Sequence, residues 1–289
     1  MTSRKIVIDM ASYQAGLTIA DYKMISADYG IVKISEGTNY VNTAARQIIN
    51  CSAAGGIKGF AFYHFSRFTT VAGAKAEAEY FIKQAKAIAN IQPGTLLIDD
   101  AEIQGMTTDS HIAFLKTLRE AGYHTGFYTY KYMLPQFNMK EIMKYADFFW
   151  LAAYPLGNGV KADKNPNFAY FPSADKVDLW QYTDNLLGFN VDGSISLTDN
   201  AIKLFNPSKV KSTWVKESGT FILGESLKIH ESPHIDSPAI AKLPKGSVIK
   251  YDATLQGPLR LWLRQPRSGG KYGYIVGKDK YGKALGKFK

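Results

Sequence analysis

Residues 95–130 read TLLIDDAEIQGMTTDSHIAFLKTLREAGYHTGFYTY. An apolar run over 95–101 has strand character. The segment 110–121 repeats apolar residues at helical spacing, with Asp109 or Ser110 as the expected N-cap, and 125–130 reads as another strand. A strand, a helix and a strand in that order form a unit whose two strands lie parallel.

The same alternation extends in both directions. Upstream, strands are expected over 5–10 (KIVIDM), 30–35 (GIVKIS) and 58–65 (KGFAFYHF), with helices over 19–25, 43–53 and 71–89. Downstream, 139–145 reads as a helix, and 148–154 and 177–182 as strands. About seven strands in some 200 residues predict an α/β fold, an irregular (β/α) TIM-like closed barrel. A doubly wound open sheet is the alternative, but no Gly-rich phosphate loop follows the first strand. Beyond the segment PSKVKS, expected as part of a linker over 207–213, helical periodicity stops. Short β-like runs separated by turn signals such as LPKG (243–246) predict a second, smaller all-β SH3-like barrel over 214–289, leaving 1–206 as the catalytic domain.

Composition narrows the classes. The chain has 289 residues, 46% of them hydrophobic and 13% aromatic, enough for a core. Mean hydropathy is −0.17 and the apolar runs are strand-sized, so no membrane insertion is expected. The single cysteine, Cys51, excludes an intrachain disulfide and a thiolate zinc site, and the five histidines lack the i, i+4 pairing of a helical metal site. No metal and no cofactor are expected. The first residues show neither the long apolar stretch nor the small-residue cleavage site of a secretory signal.

The net charge of +10 is unevenly spread. Residues 1–200 carry 18 Lys and Arg against 19 Asp and Glu, and residues 201–289 carry 17 against 6. A near-neutral body joined to a strongly basic module points to a polyanionic partner for the module.

In a barrel the chemistry sits at the C-terminal ends of the strands. Three places there put carboxylates after β-branched or apolar residues: Asp9, the Asp99-Asp100-Ala101-Glu102 run, and Asp192, read as the end of a late strand. Side chains alternate along a strand, so Asp100 and Glu102 share one face, with Cα atoms roughly 6.5–7 Å apart, and Asp99 takes the other. Two such carboxylates in a shielded cleft repel, and one keeps a proton near neutral pH. An acid beside a carboxylate is the equipment of glycoside hydrolysis. Aromatic stretches at 63–65, 127–130, 150–154 and 180–182 surround the same rim and suit the apolar faces of sugars.

Seven short stretches, IDMASYQ (8–14), KISEGTNYVN (33–42), GFAFYHF (59–65), IDDAE (98–102), WLAAY (150–154), LWQYT (179–183) and NVD (190–192), together resemble glycoside hydrolase family 25, the lysozymes (N-acetylmuramidases) common among phage endolysins. The resemblance implies Glu102 as general acid/base and Asp100 as its partner, with Asp9 and Asp192 orienting and tuning the pair. It implies that Lys33, Tyr63, His64, Tyr128, Trp150, Tyr154 and Gln181 line the cleft. It implies retention of configuration, with Asp100 either a direct nucleophile or the support of an oxazolinium ion formed by the substrate's N-acetyl group. One departure is Asp99, where the family usually has an apolar residue. Residues 212–276, with WVKESGTF, LPKGSVIKYD and WLR, resemble a bacterial SH3-type wall-binding domain, altered around 257–261.

The resemblance implies an endolysin that cleaves the β-1,4 bond between N-acetylmuramic acid and N-acetylglucosamine. It would be made in the bacterial host cytoplasm and act on peptidoglycan after holin-type release, as a monomer, held by its basic module on teichoic acid or another wall component. A wall-binding protein without catalysis and a glucosaminidase or chitinase are the alternatives. Nucleic-acid binding by Trp262, Tyr272, Tyr274 and Tyr281 among the basic residues is disfavoured, because a muramidase body gives it no purpose.

Overall fold

The computed structural model describes residues 4–205, 214–233, 235, 237–256 and 260–279, and 283–289, with the backbone alone for Gln256. The expected linker over 207–213 lies outside the described residues, as do His234 and Tyr281. The chain divides into two compact units, Met1–Ser208 and Lys209–Lys289.

In the first unit the elements run β1 (Ile6–Met10), α1 (Ile19–Ile25), β2 (Tyr29–Glu36), β3 (Tyr40–Val41), α2 (Ala45–Ala54), β4 (Phe60–Phe65), α3 (Val71–Ala89) and β5 (Leu96–Asp100). Then come α4 (Thr108–Glu120), β6 (His124–Tyr130), α5 (Met139–Ile142), β7 (Phe148–Ala152), β8 (Leu179–Thr183), β9 (Asp192–Ser196) and α6 (Asp199–Phe205). Strands β1, β2 and β4 to β8 pair parallel in sequence order. The last barrel strand, β9, pairs antiparallel with both β8 and β1 and closes the ring. The fold is therefore the expected irregular (β/α) barrel, with eight strands. Strand β3 is a hairpin arm on β2.

Local chemistry sets the helix ends. Thr70 caps α3 by accepting from the Gly73 N–H, and Asn90 ends the helix in the left-handed region at φ 50°. The cap of α4 is Thr107 rather than Asp109 or Ser110: its hydroxyl accepts from the Ser110 N–H, and the helix begins two residues earlier than expected. The expected helix over 139–145 is regular only as the four residues of α5.

Inside the barrel, Val7, Ile31, Ala61, Ile98, Phe148 and Leu179 form one buried cluster. Helix α6 plugs its floor, with Phe205 stacked on Tyr29 at 5.4 Å and edge-on to Phe148 at 5.9 Å. That plug requires Gly59, because a Cβ there would sit 2.2 Å from the Phe205 carbonyl oxygen. Outside the barrel, α3 and α4 cover the sheet through Phe81 and Phe114. Two polar groups are buried in that outer layer. Asp99 accepts from Ser66 Oγ at 2.5 Å and pairs with His111 Nδ1 at 2.8 Å, and His64 bridges Ser35 Oγ and Glu77 Oε2, both at 2.9 Å.

The second unit is the expected smaller all-β domain. It contains β10 (Val215–Leu223), β11 (Leu227–His230), β12 (Ala239–Leu243), β13 (Val248–Gln256), β14 (Leu261–Pro266), β15 (Tyr272–Lys278) and β16 (Gly286–Phe288). All pairs are antiparallel, in the order β12-β11-β15-β14-β13-β10-β16. Phe221, Ile249, Leu263 and Ile275 form its core. Trp262, expected among exposed aromatics, is instead packed with Leu255 and Val276. Among the described residues, no helix is long and apolar enough to cross a membrane.

Candidate active site

Four carboxylates from three parts of the chain converge on one end of the barrel. Asp9 is the penultimate residue of β1, Asp100 ends β5, and Glu102 follows two residues later. Asp192 arrives differently from the expectation: it opens β9 rather than ending a strand. Because β9 runs antiparallel, its first residue lies at the rim where the parallel strands present their last, and Asp192 pairs directly with Asp9.

Asp99 faces away, into the layer under α4. Alternation along β5 thus leaves Asp100 on the cleft side with Glu102, as expected.

The four acids perturb one another. Burial, then the charges of Asp192 and Glu102, push the Asp9 carboxyl well above its usual range, and Lys33 pulls it back. Burial, then Glu102 and Asp9, do the same to Asp100. Glu102 is raised by burial against the lowering influence of Tyr128, Lys33 and Tyr130. Asp192 is pushed up to about 7 by burial, with Asp184 and Glu102 adding to it. A cleft with one cation among four carboxylates therefore holds protons at neutral pH. Lys33 is that cation, and Glu36 anchors it from outside at 2.6 Å.

Gln181 connects the cluster. Its side chain is fully buried and uses all its bonding capacity. Its Oε1 accepts from Tyr128 at 2.7 Å and from Tyr154 at 2.8 Å, while its Nε2 donates to Asp9 at 3.3 Å and to Asp192 at 3.2 Å. It was expected to contact substrate; with every polar atom engaged, it orders the acids and tyrosines instead. Tyr63 lies buried in the barrel beneath the acids, which with burial raise its hydroxyl pKa.

Two other expected cleft residues face elsewhere. His64 is fully buried on the outer face of β4 against Phe81 and Phe114. Neighbours in a strand point to opposite faces, so Tyr63 and His64 cannot both enter the cleft. Trp150 is a barrel-core residue, 4.2 Å from the Tyr128 ring and donating its Nε1–H to Ser194 Oγ at 3.1 Å.

The open part of the site is a groove of about 880 Å³ lined by Glu102, Asp192, Tyr154, Tyr130, Tyr132 and Asp184, among others. Tyr132 and Asp184 were not singled out in the sequence. Both lie just past the C-terminal ends of strands, Tyr132 after β6 and Asp184 after β8, so extending the strand-end rule by two residues finds them. Tyr132 stacks on Tyr130 at 5.3 Å with its ring 67% exposed, a platform for the apolar face of a ring-shaped ligand. Among the described residues, no group of three or more His, Cys, Asp or Glu is arranged to hold a metal. The arrangement can deliver a proton from a shielded carboxyl and place a second carboxylate beside the developing charge.

Comparison with known proteins agrees with this reading. The profile of Glycosyl hydrolases family 25 matches residues 8–188, more than half of the chain. A lysozyme of Streptococcus phage Cp-9 is 28% identical over 216 residues, 74% of this chain and 59% of the relative. A lysozyme of Streptococcus phage Cp-7 is 30% identical over 194 residues, 64% of this chain and 52% of the relative. The chain thus spans little more than half the length of these curated relatives. In fold it is similar to the modular Cpl-1 endolysin, solved with a peptidoglycan analogue, at a TM-score of 0.55 and 21% identity over 93% of this chain and 77% of that one. It is also similar to the catalytic domain of an endolysin from bacteriophage P40 of Listeria monocytogenes, at a TM-score of 0.58 and 20% identity over 71% of this chain and 98% of that one.

Proposed function

The chain belongs to glycosyl hydrolase family 25, and from that premise we propose that it cleaves the β-1,4 bond between N-acetylmuramic acid and N-acetylglucosamine in peptidoglycan. The observation that carries this reading is the convergence of Asp9, Asp100, Glu102 and Asp192 on one groove, each with its carboxyl pKa raised. In this reading Glu102, the one of the pair that lines the groove, gives its proton to the leaving oxygen and later takes one from water. Asp100 supports the positive charge that develops at the sugar carbon. Asp9 and Asp192 keep the site short of neutralising cations, so that its carboxyls hold protons in the pH range where the enzyme works. The groove aromatics Tyr130 and Tyr132 carry the sugar rings.

The second unit is the wall anchor in this proposal, and its place of action is the cell wall. Its basic excess suits an anionic wall polymer such as teichoic acid, and a groove of about 510 Å³ offers Arg267, Lys271, Tyr272 and Tyr274.

The deciding experiment is mass spectrometry of fragments released from purified peptidoglycan. New reducing ends of N-acetylmuramic acid support the reading. New ends of N-acetylglucosamine, or no release, refute it. Retention on isolated walls against retention on DNA, at one salt concentration, tests the anchor.

A further inference from the structure

The proton count around Gln181 constrains the state of Glu102. An amide oxygen has no proton, so both hydroxyls that touch Gln181 Oε1 must donate to it. The amide cannot be reversed, because its carbonyl would then face the Asp9 and Asp192 carboxylates and its NH2 group would face two hydroxyl donors. A tyrosine hydroxyl has one proton, and burial together with the surrounding acids keeps the Tyr128 and Tyr154 hydroxyls from ionising. The proton of Tyr128 is therefore engaged on Gln181. Tyr128 is also a hydrogen-bond partner of Glu102. Toward that carboxyl it has only a lone pair to offer.

We propose that Gln181 is a positioning residue that sets the direction of a hydrogen-bond chain running from Glu102 through Tyr128 to the Asp9–Asp192 pair, so that Tyr128 accepts from Glu102 and holds it in the proton-donating form. The chain reads Glu102 O–H to Tyr128 Oη, Tyr128 O–H to Gln181 Oε1, and Gln181 N–H to the two aspartates. Each link is a donor meeting an acceptor, and it ends on charges that need donors. This deepens the muramidase reading and rests on it, since it explains how the proposed acid is kept loaded. Tyr154 is the second donor that fills the Gln181 oxygen, which makes the direction harder to reverse.

Every element around Glu102 contributes a group to its titration. Asp9, Asp100 and Asp192 favour the protonated form from β1, β5 and β9, and Lys33 opposes them from β2. Tyr63 from β4 faces the same cluster as a neutral hydroxyl, and Tyr154 from β7 lines the groove beside Glu102. On β6, Tyr130 also bonds Glu102 and is free of Gln181, so it supplies the donor that Tyr128 cannot.

The test is the direction of a shift. In the full chain labelled with 13C at glutamate carboxyls, Glu102→Gln identifies the Glu102 resonance, and its titration is followed directly. Tyr128→Phe removes an acceptor from the protonated acid and moves the Glu102 midpoint down by about one pH unit. Gln181→Met frees the Tyr128 proton to turn toward Glu102 and also moves the midpoint down, with the basic limb of kcat/KM following. If Tyr128 were instead a donor to Glu102, Tyr128→Phe would move the midpoint up, and that result overturns the proposal. A Gln181→Met midpoint equal to that of the unaltered protein overturns it as well. Should Gln181→Met fail to fold, the sign for Tyr128→Phe decides alone. Hydrolysis persisting in Glu102→Gln would refute the muramidase reading separately, whatever the titration shows.

Discussion

Asp9 and Asp192 face each other across the antiparallel pairing of β1 and β9, and each accepts one proton of the same Gln181 amide. Two carboxylates held this close in a buried setting are stable only with donors between them or a proton on one of them. The barrel thus closes on its own electrostatic stress, and that stress is the resource of the site.

Glu102→Gln keeps the shape of the side chain and removes the transferable proton. Release of reducing ends from peptidoglycan should fall by about 10²- to 10⁴-fold, with binding to isolated walls unchanged. Lysis at the rate of the unaltered protein would remove Glu102 from its assigned role.

Asp192 supports a stability prediction with a definite sign. Its carboxyl holds a proton up to about pH 7 when folded but only to about pH 4 in an unfolded chain. A group with a raised folded value contributes most below the unfolded value, and the contribution is lost as pH rises through the folded one. Asp192→Asn should match the unaltered protein in thermal stability near pH 4 and exceed it by about 2 kcal/mol near pH 8. A difference that does not vary with pH contradicts this account of Asp192.

His64 and Glu77 form a buried pair in the outer layer. His64→Leu leaves the Glu77 carboxylate without its side-chain partner and should cost about 3 kcal/mol of stability. The shape of the pH–rate profile should not change, since the pair lies on the far face of the sheet from the groove. A changed profile without lost stability would return His64 to the cleft.

Tyr132 reaches the groove as an exposed ring stacked on Tyr130. Tyr132→Ala should raise KM for soluble wall fragments by about 3- to 10-fold, with kcat and melting temperature near those of the unaltered protein. An unchanged KM would mean that the sugar rings lie elsewhere.

Much of this was legible in the sequence because periodicity reports local packing. The repeats over 19–25 and 71–89 are the helices α1 and α3 to the residue, since their apolar faces meet a sheet that their own spacing anticipates. Strand alternation separated Asp100 from Asp99 correctly. Applied with equal strictness at Tyr63-His64, it would also have kept His64 out of the cleft. The direction of β9 was not legible, because a strand's sense depends on which partners it meets, and Asp192 was read as an end when it is a beginning. Gln181 was visible only as a polar residue in an apolar strand. Its partners come from β1, β6, β9 and the residue two past β7, and no local pattern encodes such a meeting.

The closing strand has a consequence for how the chain matures. Strand β1 is flanked by β2 from early in the chain and by β9 from nearly two hundred residues later, so its second edge stays bare while the intervening helices and strands assemble. A nascent polypeptide halted before β9 has Asp9, Asp100 and Glu102 but lacks the seam that brings Asp192 against them. The hydrolytic centre is therefore a late product of synthesis, switched on by the arrival of one short segment.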